Sequence, residues 1–243
     1  MSARAPLPPE RLNTINRLTL TARLLSSAVH DTRNALQIIT GHAELFAETS
    51  ANAEKSRERS QAILTHADRA SRRMQSLVLM AQETDSVPER LDLRALTEGA
   101  VALRRSSFGR ARIKVVIQPP TGEYWVRACR ADLIRVVANL MLNAERAVTG
   151  RPAAEISFRV FQSGGRVGLA VKDNGTGVPE EVVPFLFSPF TPGPGPGLGL
   201  YVSRWLMERG GGTVELTGNR SGAEFSLELP GDAGVRIGES GNR

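Results

Sequence analysis

Residues 18–46, LTLTARLLSSAVHDTRNALQIITGHAELF, decide how this chain begins to fold. Leu18, Ala22, Leu25, Val29, Thr32, Leu36, Ile39, Ala43 and Phe46 follow one another in unbroken steps of four and three, which is the spacing of a heptad seam. Gly41 is the only helix-weakening residue within the run. A second seam follows at Ile63, Ala67, Ala70, Met74, Leu77 and Ala81. Between the two, ETSANAEK is polar, with Ser50 and Asn52 suited to capping. The pattern predicts two long antiparallel helices, over about residues 10–49 and 54–84. One hairpin cannot bury both seams, whereas two hairpins packed as a four-helix bundle can, so a homodimer is expected. The competing reading packs the seam on the rest of the same chain.

His30 directly follows the seam residue Val29 and so falls on the outward side, with Asp31 beside it. Asn34 lies one turn further on, within reach of the same patch of solvent. An imidazole held out on a stiff rod, next to an acid and an amide, is a candidate nucleophile; the plain alternative is a solvated surface histidine. His42 and His66 have no such polar company and read as structural or surface residues.

Composition narrows the class. The 243 residues suffice for one large domain or two modest ones, and a hydrophobic content of 41% belongs to a folded chain. Aromatics make up 5%, so the core must rest on Leu, Val, Ile and Ala. The net charge of +6 comes almost wholly from arginine, with lysine only at 55, 114 and 172. These arginines are scattered among 25 acids in no block longer than Arg-Arg, which argues against a nucleic-acid partner. Cys129 is the single cysteine, so no intrachain disulfide can form, and a reducing compartment is expected. The start, MSARAPLPPERL, has no apolar signal region, and no run approaches the roughly 18 residues that span a bilayer. A soluble cytoplasmic protein with no membrane partner is the expectation.

The pattern changes at TDSVPERLDL, where Pro88 forbids a continuing helix. Beyond it come β-type runs at 113–117, 156–161, 167–171, 213–216 and 225–229, separated by helical segments at about 93–105, 132–148 and 198–209. Alternating strands and helices on one sheet read as an α/β sandwich, so the whole chain is α+β. Residues 10–86 form the helical hairpin, 89–230 the second domain, and 231–243, GDAGVRIGESGNR, a disordered tail.

Three stretches of the second domain carry chemistry. In RVVANLMLNAERAV, Asn139 and Asn143 share a helix face, and two amide oxygens there suit Mg²⁺, with Arg146 one turn on for a phosphate. In VKDNGTGVP, Asp173 ends a strand and can accept from an exocyclic amine such as adenine's, while Gly175 and Gly177 let the backbone approach a flat base. In FLFSPFTPGPGPGLGLYVSRWL, glycines at 193, 195, 197 and 199 lead into a helix whose N-terminus favours phosphate. Each stretch has a plainer reading: chance asparagines, an Asn-Gly turn, a flexible linker.

Their order is more specific than any one of them. Over about residues 12–230 the set resembles the sensor histidine kinases of two-component systems. AVHDTRNALQIITGHAEL resembles the histidine box of the His-Asp-x-x-Asn variety, NLMLNAERA the asparagine box, DNGTGVP the first glycine box, FLFSPF the phenylalanine box and GPGLGL the second glycine box. The resemblance implies a dimerisation and phosphotransfer hairpin followed by a Bergerat-type ATP-binding domain. It implies His30 as phospho-acceptor, Asp31 as the group that accepts or orients the ring proton, and Asn34 as a water-positioning residue for phosphatase activity. It further implies Asn143 as Mg²⁺ ligand assisted by Asn139, Asp173 as reader of adenine, and Gly175 and Gly177 shaping the base pocket. Gly195, Gly197 and Gly199 would form the phosphate turn, and Phe187 and Phe190 would anchor the lid. ATP and Mg²⁺ are the implied cofactors, and a receiver domain on a separate response regulator the implied partner.

Three departures bear on this. Ala35 stands where the family often has proline. The lid, FTPGPGPG, is short and has no lysine. Only about ten residues precede the hairpin, so the signal is expected through a separate sensory or regulatory protein. The alternative from another class is an ATP-independent histidine phosphotransfer or scaffold protein on a degenerate kinase fold. A serine kinase of the same superfamily is a third reading, which the long hairpin opposes.

Overall fold

The computed structural model describes residues 7–48, 53–81, 87–119, 122–191 and 197–232. Helix α1 (Pro9–Glu48) and helix α2 (Ala53–Ala81) form the hairpin. Pro9 opens α1 at the one position where a missing N–H costs nothing. From there α1 runs unbroken for 40 residues, through Ala35, which is buried. With no proline at that point, nothing obliges the helix to kink.

The seam read from the sequence is not the face that this chain buries. Leu12, Asn16, Leu20 and Leu24 are buried, spaced by four, because the N-terminal half of α1 lies on the second domain. Leu18, Leu25, Val29 and Leu36, all seam positions, are exposed, Leu18 by 62%. A single chain covers α1 with α2 and the second domain and leaves this parallel apolar stripe outside.

The second domain opens on two short strands absent from the sequence expectation, β1 (Glu89–Asp92) and β3 (Trp125–Ala128), paired antiparallel. The main sheet has the order β2-β4-β5-β7-β6, from β2 (Lys114–Ile117), β4 (Glu155–Ser163), β5 (Arg166–Asp173), β7 (Glu224–Pro230) and β6 (Thr213–Gly218). Strand β2 runs parallel to β4, and the other pairs are antiparallel. Helices α3 (Leu93–Arg110), α4 (Arg130–Val148) and α5 (Gly199–Arg209) pack on it. Asp92 caps α3 by accepting from the Arg94 amide at 2.9 Å. Gly231 bridges to Val126 and the Asp232 amide donates to Trp125, so the paired chain continues two residues past β7. Residues 233–243, most of the stretch read as a tail, lie outside the described residues.

Helix α4 is the centre of the molecule. Leu133, Val136, Val137, Leu140, Met141, Ala144 and Val148 are all buried. Two arginines tie it to its neighbours. Arg135, fully buried, donates to Asp132, to the Ala131 carbonyl at 3.3 Å and to Asn13 of α1 at 3.1 Å. Arg104 of α3 grips both oxygens of Glu145, with contacts of 2.6, 2.8 and 3.1 Å.

Candidate functional site

A cavity of about 390 Å³ lies where α4, the loop after β5 and the start of α5 meet the N-terminal half of α1. Asn139, Asn143 and Arg146 reach it from α4, Gly177 from the loop, and Gly197 and Gly199 from the turn into α5. These are six of the residues that the sequence singled out, brought together from three segments far apart in the chain.

Their roles are not equal. The Asn139 amide nitrogen donates to the Gly199 carbonyl and the Ser203 hydroxyl, both at 3.2 Å. Asn139 is buried and clips the first turn of α5 to α4. Its neighbour in the motif, Asn143, is more open, and its oxygen accepts from Arg146 at 3.4 Å. Among the described residues no cluster of three or more histidine, cysteine or carboxylate side chains could hold a metal. The donors available to a hard cation are these amide oxygens, which suits an ion that keeps most of its shell as water and phosphate.

Asp173 ends β5 at 3% exposure and does not line the cavity. Its Oδ1 accepts from the Gly175 amide at 2.8 Å and the Ala223 amide at 3.2 Å, so it folds the loop. Burial pushes this carboxyl above its ordinary range, while those two N–H groups and the Arg151 charge pull the other way. Gly175 packs between Asp173 and Ala147 of α4, and Gly177 carries the loop onward to the cavity. The sequence reading missed two residues that hold this loop. Asn219 accepts from the Val178 amide at 2.6 Å and donates to the Val178 carbonyl at 2.7 Å. Gly222, with φ +93°, lets the turn before β7 lie on Asp173, where a Cβ would sit 1.9 Å from the Asp173 carbonyl oxygen. Neither belongs to a motif in the sequence.

At the other end, Gly197 has φ +65°, and a Cβ there would meet the Thr191 carbonyl at 2.4 Å. The Thr191 hydroxyl lies 2.7 Å from the carbonyls of both Phe185 and Ser188, bracing the segment before it. Gly195 lies outside the described residues. Of the two phenylalanines read as anchors, Phe187 packs on the core under the Arg204 guanidinium, 3.7 Å from the ring centre. Phe190 is 58% exposed, and its backbone is left-handed at φ 61°. Leu186 is buried and lines the cavity.

His30 and Asn34 are exposed on α1, with Asn34 Nδ2 3.3 Å from His30 Nδ1. Asp31 lies in the same turn, and its side chain is outside the described residues. His30 is not at the cavity. The cavity touches α1 only through Asn16, Thr19, Leu20 and Arg23, and His30 stands two turns, about 10 Å, beyond Arg23.

Comparison with known proteins follows the same division. Residues 129–233 match the family of histidine kinase-, DNA gyrase B- and HSP90-like ATPases. The chain is 31% identical to the sensory histidine kinase/phosphatase NtrB of Rhizobium meliloti, over 89% of this chain and 60% of that protein. It is 29% identical to the sensor histidine kinase ZraS of Escherichia coli O157:H7, over 88% of this chain and 47% of that protein. It thus spans about half to three-fifths of the length of these relatives. Among solved structures, the catalytic domain of the histidine kinase ThkA superposes with a TM-score of 0.55 at 25% identity, over 60% of this chain and 96% of that domain. No helix among the described residues is long and apolar enough to cross a membrane.

Proposed function

We propose that the chain is a sensor histidine kinase, built on an ATPase domain of the type shared with DNA gyrase B and HSP90, that phosphorylates its own His30 from ATP and passes the phosphoryl group to an aspartate of a separate response regulator. The observation that carries this reading is the cavity itself. Asn143 and Arg146 face the N-terminal end of α5 across it, so an oxygen donor, a fixed cation and free backbone N–H groups converge on one space.

In this reading α5 and Arg146 hold the polyphosphate of ATP. Asn143, with the oxygen of Asn139 beside it, holds Mg²⁺, which when bound offsets phosphate charge during transfer. His30 acts as a neutral imidazole. With its oxygen turned toward the ring, Asn34 accepts the Nδ1 proton and leaves the Nε2 lone pair free; the amide's two orientations are set by whichever partner the ring presents. Nε2 then bonds to the γ-phosphorus as the bond to the ADP oxygen breaks. Asp31 orients the ring, and in the reverse, phosphatase direction Asn34 positions water. The short lid without lysine leaves the γ-phosphate one cation poorer.

Incubation with γ-labelled ATP and Mg²⁺ tests this. The wild type is expected to take up acid-labile, alkali-stable label, His30→Ala none, and Asn143→Ala at least roughly tenfold less. Absence of label on a protein that binds no nucleotide would replace the kinase with the ATP-independent phosphotransfer or scaffold reading.

The exposed stripe of Leu18, Leu25, Val29 and Leu36 supports a homodimer through the hairpin. Leu18→Glu with Leu25→Glu is expected to convert a dimer to a monomer in sedimentation equilibrium while leaving helicity unchanged, because neither side chain is buried within one chain. An unchanged mass would mean that the stripe is not the interface.

A further inference from the structure

We propose that α1 completes the nucleotide site: Asn16 and Arg23, on the helix face that also carries His30, bind the polyphosphate of a nucleotide seated on α4 and α5. This rests on the ATP-site reading above and adds two ligands that lie outside every motif of the ATP-binding domain.

Asn16, Arg23 and His30 are spaced by seven, so they lie within about 20° of one another per step around the helix. Asn16 and Arg23 line the cavity opposite Asn143 and Arg146. Asn16 is 4% exposed, and its Nδ2 is buried without a hydrogen-bond partner. A buried amide N–H is normally paired, so an unpaired one on a residue that lines the cavity leaves room for an acceptor brought by a ligand. Arg23 is half-buried on the same wall, and no described residue pairs with it. The Thr19 hydroxyl between them is already spent on the Ile15 carbonyl at 2.8 Å, so it does not compete as a donor.

The charge of the cavity points to an anion. Two arginines line it, and no aspartate or glutamate does among the described residues. A guanidinium is suited to phosphate, because its planar fork meets two oxygens at once. Arg23 therefore supplies from α1 the cation that the lysine-free lid does not. The geometry also separates binding from chemistry. While Arg23 is at the cavity, His30 of the same chain is about 10 Å further down the helix, so this is an arrangement for loading nucleotide, and transfer within one chain needs another placement of the ATPase domain.

The test is equilibrium binding of three probes, AMPPNP, ADP and AMP, to the full chain. Arg23→Gln is expected to weaken AMPPNP roughly tenfold, ADP less, and AMP not at all, with Arg23→Lys recovering part of the loss. Asn16→Ala is expected to act in the same direction by a few-fold, and Arg33→Gln, elsewhere on α1, to have no effect. Equal affinities in Arg23→Gln and wild type overturn the proposal. An equal loss for all three probes also overturns it, because that marks a structural effect rather than a phosphate contact. Failure of the wild type to bind any probe overturns the ATP-site reading itself.

Discussion

Arg104→Ala is expected to cost about 3–5 kcal/mol of folding stability. The Arg104 and Glu145 side chains are only 13% and 11% exposed, and three contacts join them across the α3–α4 interface. Removing the guanidinium leaves a carboxylate between two helices with its partner gone. The loss is therefore the penalty of an unpaired buried charge, not the value of the pair. Replacing both residues with methionine removes the charges together and is expected to return most of the stability. Urea unfolding of the single and double variants separates the two effects, provided the slopes agree. Equal loss in both would assign the effect to packing of the arginine stem. Because Glu145 sits between Asn143 and Arg146 in the sequence of α4, the single variant is also expected to weaken nucleotide binding.

Asp173→Asn is expected to do the opposite: to keep the fold and lose the nucleotide. An asparagine oxygen can accept from Gly175 and Ala223 as the carboxylate does. We propose that the other carboxylate oxygen accepts from the adenine amine, as the family resemblance implies; on that proposal the amide nitrogen would meet this amine donor to donor, and ATP affinity is expected to fall on the order of 100-fold. The stability effect has a definite sign. Burial raises the pKa of Asp173 in the folded state, so its contribution is fully present below the usual carboxylate range and is lost as pH rises through the raised value. At neutral pH the asparagine variant, which has no such charge to bury, is expected to be at least as stable as the wild type. Chemical denaturation at pH 4 and pH 7 reads the sign, and isothermal titration with ATP reads the affinity. Unchanged affinity would leave Asp173 as a residue that shapes the loop and no more.

Periodicity made much of the fold legible. The apolar runs of β4, β5 and β7 record faces that the sheet buries, whereas the steps of four and three in α1 mark the helix by a stripe that a single chain leaves exposed. The two-stranded ribbon of β1 and β3 was not legible, because four-residue strands such as ERLD are too short to show alternation. The site was legible where backbone geometry demanded a residue type, as at Gly177 and Gly197, or where two amides recurred one helical turn apart, as at Asn139 and Asn143. It was illegible where a side chain acts across space. Asn219 pins a loop 41 residues away in the chain, and Asn139 spends its nitrogen on α5. Nor does the motif foretell that Phe190 is 58% exposed with its own backbone left-handed at φ 61°, because a sequence pattern does not record a single residue's φ.

The absence of a joint in α1 has a mechanical consequence. Between Pro9 and Gly41 the helix holds no proline or glycine, and its 40 residues span about 60 Å. Such a shaft has no built-in kink at His30. Torque applied near Leu12 would be carried along it toward Leu36, so that a roll withdrawing Asn16 and Arg23 from the second domain would re-aim the imidazole in the same motion, as an axle does.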